Sequence, residues 1–309
     1  MSIGIRMEPS RRLVHGRLMI YGLLTIAFFL ALSGGSEQTV DFVESGSFAV
    51  AAPHVTDTIR IVTYNVHGPL TEDVEAVFSV IESDVQLSKA HVWALQEVRT
   101  SRDRNFARYA AERLGMNYAH AIARPRGDGW EGISFLSRLP ISDLERIELP
   151  HLDTGDRLRI GFFATIAAGN RMIRMCNVHL PIRMKHKKRT EQLRLILDHF
   201  ERDQISNHQI IIGDFNTING GLRRLYHTVL ENSGFQTPFD GNAKTYQKYF
   251  FLRFKLDWIY LRGLEALDYG IEQRIKASDH RPVWVDVRFP LPGLRMERPS
   301  PQPPISVSG

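Results

Sequence analysis

The chain has almost no cysteine, which removes two common ways of stabilising a protein. Cys176 is the single cysteine among 309 residues, so an internal disulfide and a cysteine-built zinc site are both excluded. It stands in an apolar run, which predicts a buried and inert thiol. The HExxH signature of histidine zinc sites is absent, and the sequence has no internal repeat.

Long apolar runs are also scarce, except near the N-terminus. Arg11, Arg12 and Arg17 precede an almost wholly apolar segment, residues 18–32, and no charge returns until Glu37. This pattern predicts that residues 1–36 are a signal peptide or an N-terminal membrane anchor, and both alternatives stay open. Because the positive flank stays inside, we expect the rest of the protein outside the cytoplasm, membrane-anchored, secreted or periplasmic.

The remaining sequence predicts one domain between two irregular segments. Residues 37–57 have no hydrophobic period and are interpreted as a linker, and the Pro-rich residues 290–309 are predicted to be disordered. Residues 58–289 contain many short strand-like runs and few helical ones. This order predicts an α/β (α+β) fold of two packed sheets with helices outside.

The central stretch of this domain is QIIIGDFN, residues 209–216. Its isoleucines predict a short strand buried on both faces, which Gly213 ends. Asp214 and Asn216 follow two positions apart, so they point the same way on an extended strand end. A carboxylate there needs a cation or hydrogen bonds to compensate its burial. The alternative is an Asx-type turn that caps the next helix.

Polar side chains recur where other predicted strands begin or end, and this recurrence is the functional signal. They are Asn65, Glu97, Asn177, His179, Asp279 and His280, and Asp257 joins them from inside an otherwise apolar strand. Each alone is an ordinary turn or buried residue, but together they predict a single site. Carboxylates without cysteine favour a hard cation, with Mg²⁺ first and Mn²⁺ or Ca²⁺ as substitutes.

Seven short motifs occur in order between residues 59 and 289. They are TYNV at 63–66, LQEV at 95–98, FLSR at 135–138, NVHL at 177–180, IGDFN at 212–216, LDWI at 256–259 and SDHRP at 278–282. Together they resemble the endonuclease/exonuclease/phosphatase superfamily, the deoxyribonuclease I-like fold. The resemblance implies a four-layer sandwich of two mostly antiparallel sheets with outer helices. It also implies Mg²⁺-dependent hydrolysis of phosphate esters by in-line attack of water.

The resemblance further implies roles for the matched residues nearest the reaction. Asp214 and Asn216 are expected to hold the scissile phosphate and the attacking water. His280 is expected to act as general base or to stabilise the phosphate, with Asp257 orienting it. The metal ligands implied are Glu97, Asn65 and Asp279.

The same resemblance implies a second group of contacts around the leaving oxygen. His179 is expected opposite His280, as general acid or as a stabiliser of transition-state charge. Glu131 stands where the related nuclease has the acid that orients this histidine. The residues expected to contact substrate phosphate are Arg99, Arg159 and Asn177, although a surface salt bridge is an alternative for either arginine.

The substrate is left open by the sequence. Net charge +5 suits an anionic partner, and the basic run RMKHKKR, residues 183–189, fits nucleic acid (DNA or RNA) or a phospholipid headgroup. Inositol phosphates also remain candidates. The apolar residues of the segment 250–254, which are Phe250, Phe251, Leu252 and Phe254, are interpreted as core, with a lipid-facing lip as the alternative. A non-catalytic phosphate- or lipid-binding module is the alternative function, and no protein partner is inferred.

Overall fold

The computed structural model describes residues 42–49, 58–67, 73–101, 104–151, 158–240, 243–249 and 251–290. The predicted targeting segment, residues 1–36, and nearly all of the predicted Pro-rich tail lie outside these ranges. The predicted linker, residues 37–57, is wrong in part, because residues Val43–Ser47 form a strand. This strand is short and rich in glycine and serine, so it has no hydrophobic period to reveal it.

The larger sheet has seven strands. They are β1 (Val43–Ser47), β2 (Ile59–Asn65), β3 (Val92–Thr100), β4 (Asn117–Arg126), β5 (Gly129–Ser137), β13 (Glu265–Ile271) and β14 (Val283–Arg288). Their spatial order is β1-β4-β5-β3-β2-β14-β13. Only the β2–β3 pair is parallel, and the other neighbours are antiparallel.

The smaller sheet has five strands, in the order β12-β9-β8-β7-β6. They are β6 (Ile141–Leu149), β7 (Arg159–Ala168), β8 (Arg171–His179), β9 (Gln209–Asp214) and β12 (Asp257–Arg262). Here β8 and β9 are parallel and the other pairs are antiparallel. A separate hairpin consists of β10 (Tyr246–Lys248) and β11 (Leu252–Phe254).

In the described part of the chain, four α-helices cover the sheets. They are α1 (Asp73–Ser83), α2 (Phe106–Leu114), α3 (His186–Asp203) and α4 (Gly220–Asn232), and a 3₁₀ turn spans Leu87–Lys89. The start of α2 is fixed by Asn105, whose side chain accepts hydrogen bonds from two main-chain N–H groups. Asn219 caps α4 in the same way, through Leu222 N.

Alternation along the strands separates two hydrophobic layers. In β2, Ile59 and Ile61 belong to the larger hydrophobic cluster, which contains buried residues of both sheets and of α3 and α4. Val62 and Tyr64 face the opposite side, where they pack with buried residues of α1 and α2. The order helix, sheet, sheet, helix confirms the predicted four-layer sandwich, because side chains of successive strand residues point to opposite faces.

Two features of the surface bear on the earlier expectations. Phe251 is 63% exposed at the tip of the β10–β11 hairpin, so the assignment of residues 250–254 to the core is wrong at this position. Cys176 is fully buried and free, as predicted. Among the residues that the structure describes, we find no helix with the length and apolarity needed to span a bilayer.

Candidate active site

Side chains from both sheets converge on one carboxylate oxygen. Asp214 Oδ2 accepts a hydrogen bond from Asn65 Nδ2 at 3.1 Å. The same oxygen lies 3.5 Å from His179 Nε2 and 3.8 Å from His280 Nε2. Asn65, His179 and Asp214 end β2, β8 and β9, and His280 precedes β14. The register of the strands brings these ends together. With Glu97 and Asp257 they form what we call the Asp214 cluster.

Gly213, the residue before Asp214, has a backbone conformation that residues other than glycine rarely adopt. Gly213 has φ 138°, and a Cβ there would lie 2.0 Å from the carbonyl oxygen of Val178, so only glycine fits. Asp214 Oδ1 accepts the N–H of Asn216 at 2.9 Å, which is an Asx turn. One oxygen of Asp214 therefore makes the Asx turn, while the other faces the cluster.

Asn216 is placed differently from the sequence expectation. Its φ is 50°, so the extended geometry that would align it with Asp214 does not apply. Its Nδ2 donates to the carbonyl of Leu180 at 2.8 Å, and the residue is buried. The helix that follows is capped by Asn219 and not by Asp214.

Glu97 occupies a strained position at a bulge in β3. Its φ is 55°, and the register of β3 with β5 shifts between Leu95 and Val98. Asn65 Nδ2 donates to Glu97 Oε1 at 3.2 Å, and Arg126 pairs with Glu97 Oε2 at 3.0 Å. Burial raises the pKa of Glu97, but His179, Arg126 and Asn65 outweigh it and bring the pKa to about 2. The carboxylate is therefore ionised at neutral pH.

His67, which the sequence analysis did not single out, lies between Asp279 and Glu97. His67 Nδ1 lies 3.7 Å from Glu97 Oε2 and 3.5 Å from Asp279 Oδ1. The loop before β14 is tied to β2, because Ser278 Oγ donates to the Asn65 carbonyl at 2.8 Å. His67 follows Asn65 by two positions, and a titratable residue just past a strand end was the available signal for it.

His280 and Asp257 form the hydrogen bond that the resemblance implied. His280 Nδ1 lies 2.9 Å and 3.1 Å from the two Asp257 oxygens, and both residues are buried. Asp257 is held in turn by its own N–H, which donates to Thr245 Oγ1 at 3.0 Å. Burial lowers the pKa of His280, but Asp257 and Asp214 outweigh it and raise the pKa to about 10. This imidazole is a cation at neutral pH.

His179 has the opposite electrostatic character. Burial and the neighbouring Arg159 hold its pKa well below the usual value, against the opposing effect of Glu97. Asp214 lies between the two histidines, and burial raises its pKa to about 7 against the lowering effect of His280. The cluster thus places a neutral and a protonated imidazole on two sides of one carboxylate.

Glu131 does not orient His179, contrary to expectation. Its two oxygens pair with Arg124, at 2.8 Å, and with Arg126. Arg126 links Glu131 to Glu97, so both acids share one guanidinium. The correction has a simple cause: β4 lies beside β5 and delivers two arginines to Glu131, a pairing that spacing in the sequence does not reveal.

The three predicted phosphate contacts have different environments. Asn177 is fully buried, and its Nδ2 donates to the carbonyls of Leu95 and Ser134, both at 3.0 Å. It therefore has no donor left for a phosphate, and we correct that prediction. Arg99 donates to the Arg126 carbonyl at 2.9 Å. Arg159 is buried, its Nε has no hydrogen-bond partner, and Asp214 and Glu97 act on its charge.

A group of donors that could hold a metal lies within the cluster. Among the described residues, ligand atoms of Asp214, Asp257 and His280 lie within 4.8 Å of one another, all buried. The predicted ligands Glu97 and Asp279 are outside this tight group and more accessible, with 16% and 21% of their side-chain surface exposed. Both sets are dominated by carboxylate oxygens, which suit hard divalent cations.

Comparison with solved structures identifies the fold. An endonuclease/exonuclease/phosphatase family protein from Leptotrichia buccalis C-1013-b superposes with a TM-score of 0.60 at 20% identity, covering 75% of this chain and 100% of that chain. ANGEL2, a 2′,3′-cyclic phosphatase, gives 0.59 at 15% identity, covering 76% and 96%. The human Nocturnin catalytic domain gives 0.58 at 15% identity, covering 80% and 98%. No curated protein matches significantly by sequence.

The model of the Endonuclease/Exonuclease/phosphatase family matches residues 62–280. Members of this family hydrolyse phosphate esters, and the acids and histidines of the Asp214 cluster suit that chemistry. The chain belongs to this family.

Proposed function

We propose that this protein is a divalent-cation-dependent phosphoesterase that hydrolyses a phosphodiester or phosphomonoester by in-line attack of water. The observation that carries the proposal is the convergence on Asp214 Oδ2 of Asn65, His179 and His280, all within 3.8 Å. Acids and imidazoles collected at that distance are the groups that phosphoryl transfer requires for positioning and for charge stabilisation.

The metal that we propose is Mg²⁺, with Mn²⁺ as a substitute. Glu97, Asp279 and the Asn65 carboxamide would hold it, because they are oxygen donors and the two carboxylates are partly exposed. The Arg126 guanidinium pairs with Glu97 at 3.0 Å, so the surroundings of this carboxylate favour a positive charge. When bound, such an ion supplies charge neutralisation at the phosphoryl oxygens and a water of lowered pKa.

The protein groups have distinct proposed roles around the phosphate. Asp214 holds and activates the attacking water, because its Oδ2 faces both histidines. His280 stays protonated on Asp257 and neutralises charge that develops on the phosphoryl group. His179 hydrogen-bonds the leaving oxygen from the opposite side. Arg159, buried with an unpaired Nε, contacts a phosphoryl oxygen. We place Asn216 near the scissile phosphate, supporting the turn at Asp214.

The substrate class that we propose is an anionic phosphate ester of nucleic acid, phospholipid or inositol phosphate. Support comes from the basic residues at the start of α3, of which Lys185, Lys187 and Arg183 are not fully buried. Arg189 is excluded from this surface, because it is buried and bonded to Tyr226 Oη at 3.1 Å. We also propose a location outside the cytoplasm, on the sequence of residues 1–36 alone. A reporter fused after residue 36 that is active only in the cytoplasm would contradict it.

The decisive experiment measures hydrolysis of bis(4-nitrophenyl) phosphate and 4-nitrophenyl phosphate. We expect EDTA to abolish turnover and Mg²⁺ or Mn²⁺ to restore it. The Glu97→Gln variant should need much more Mg²⁺ for half-maximal rate, whereas Glu112→Gln, an exposed position in α2, should behave as wild type. Turnover that resists EDTA would overturn the metal assignment. Folded protein inert toward every phosphate ester tested would overturn the enzymatic proposal.

A further inference from the structure

A basic cavity lies beside the Asp214 cluster, at the base of the β10–β11 hairpin. Its volume is about 160 Å³, and its lining consists of Lys244, Tyr246, Gln247, Arg253, Gln273 and Arg281. The hairpin is bonded to the segment that carries His280. Gln247 N donates to the Asp279 carbonyl at 2.8 Å, and the Tyr246 and His280 rings lie 5.0 Å apart. The cavity therefore shares a wall with the candidate active site.

The charge of this cavity is uncompensated. Three of its six lining side chains are cations and none is an acid. Among the described residues, Lys244, Arg253 and Arg281 form no ion pair with a carboxylate. Arg281 is buried, and its guanidinium donates to the carbonyls of Ser278 and His280, both at 2.9 Å. Neutral carbonyls fix its orientation without cancelling its charge, which an anion would do.

The size and donors of the cavity indicate the kind of anion. Its other lining groups, one phenol and two carboxamides, add neutral hydrogen-bond donors. The volume is several times the space that one water needs, so a phosphate group fits. Guanidinium groups match phosphate oxygens in geometry as well as charge.

We propose that this cavity, the Arg281 pocket, binds a second phosphate of the substrate while the Asp214 cluster hydrolyses the first. This inference rests on the proposed function and specifies the substrate class: phosphate esters that carry a further, non-scissile phosphate. Arg281 and Tyr246 connect the pocket directly to His280, so a bound phosphate there also positions the scissile group. Lys244 and Arg253, both exposed at the rim, attract the second phosphate.

A matched pair of chromogenic esters tests the preference. Thymidine 5′-(4-nitrophenyl phosphate) carries one phosphate, and its 3′-phosphorylated form carries two. We expect kcat/KM of the wild type to be roughly tenfold higher for the second, since hydrogen bonds to charged groups have that effect. Lys244→Ala/Arg253→Ala should abolish the preference and leave the single-phosphate ester unaffected. Lys89→Ala/Arg108→Ala, with equal charge loss at exposed positions elsewhere, should retain it.

A vesicle assay separates the two sources of a second phosphate. Hydrolysis of phosphatidylinositol monophosphate is compared with that of phosphatidylinositol in the same vesicles. A preference in either the nucleotide or the lipid pair that Lys244→Ala/Arg253→Ala removes supports the pocket. Equal rates within both pairs, or a parallel loss on both members, overturn it.

Binding provides a readout that does not depend on turnover. Calorimetry with inorganic pyrophosphate in EDTA should give a dissociation constant roughly tenfold weaker for Lys244→Ala/Arg253→Ala than for the wild type and the control variant. Equal affinities overturn the pocket even if the enzyme is active. If no ester is hydrolysed while this difference persists, the proposed function fails and the phosphate pocket stands.

Discussion

Two polar clusters lie two residues apart along the strands that they share, and they differ in charge. The comparison shows which side chains serve the reaction and which serve the fold. The Asp214 cluster at the sheet edge contains charged groups, and Glu97 in it has a positive φ. Deeper between the sheets, Thr63, Gln96 and Asn177 form what we call the interior amide network. Thr63 and Asn177 each precede a cluster residue by two positions, so they lie on the same strand face.

The interior amide network is neutral and satisfied. The two hydrogens of Gln96 Nε2 are shared among three acceptors, which are Asn177 Oδ1 at 2.8 Å, the Ala94 carbonyl at 3.0 Å and Thr63 Oγ1 at 3.1 Å. Asn177 comes from β8 of the smaller sheet, whereas Thr63 and Gln96 belong to the larger one, so the network fastens the two sheets. A residue type alone does not mark a catalytic position. A charged group whose hydrogen bonding is incomplete does mark such a position.

The largest effect should come from Asp214→Asn. Removing the carboxylate should lower kcat on bis(4-nitrophenyl) phosphate by roughly 10³-fold, because the group proposed to activate water is lost. The free energy of unfolding should not fall, because a buried charge is removed. Urea unfolding measures it. The exposed Asp198→Asn in α3 is the control, and turnover near wild type in Asp214→Asn would contradict the assignment.

Asp257→Asn should have the next largest effect. It removes the main group that raises the pKa of His280 from its buried value, so the NMR titration of His280 should shift from about 10 toward lower pH. We expect kcat to fall by roughly 10²-fold as the imidazole loses its orienting partner. His227, bonded to Tyr260, serves as the internal reference. An unchanged His280 titration would refute the proposed coupling.

Asn177→Leu, unlike the two variants above, should reduce stability. It leaves the carbonyls of Leu95 and Ser134 without donors, which costs about 2 kcal/mol in the free energy of unfolding. Urea unfolding measures the loss, and Asn207→Leu in an exposed loop is the matched control. If Asn177→Leu is as stable as wild type but has lost phosphate affinity, the original phosphate-binding prediction was right.

The pH dependence of the free energy of unfolding tests the buried environment of His120. Burial lowers the pKa of His120 to about 4, below its value of 6.5 in an unfolded chain. The unfolded state therefore binds more protons between these values, so stability is full above pH 6.5 and falls toward pH 4. The slope is up to about 1.4 kcal/mol per pH unit. His120→Gln should flatten the curve of unfolding free energy in this window, and an unaltered slope would exclude His120 as its source.

Part of the fold could be predicted because its signals are local. The apolar runs that became β2, β3, β8 and β9 are visible in the sequence, as is the stripe of Leu193, Ile196 and Phe200 in α3. No local pattern predicts the hairpin β10–β11 or β13, because they are short or largely exposed and have no apolar period. β10 and β11 pair with each other, and the bridge between Tyr246 and His280 joins this hairpin to a distant segment.

The sequence by itself determined the family, the layered fold and which positions could carry chemistry, since motifs and hydrophobic periods are properties of neighbouring residues. Only the tertiary structure decided which of these groups are free to react. Asn177 is occupied by carbonyls of β3 and β5, and Glu131 by arginines of β4. A side chain's availability depends on hydrogen-bond partners that arrive from far along the chain, and spacing along the sequence does not specify them.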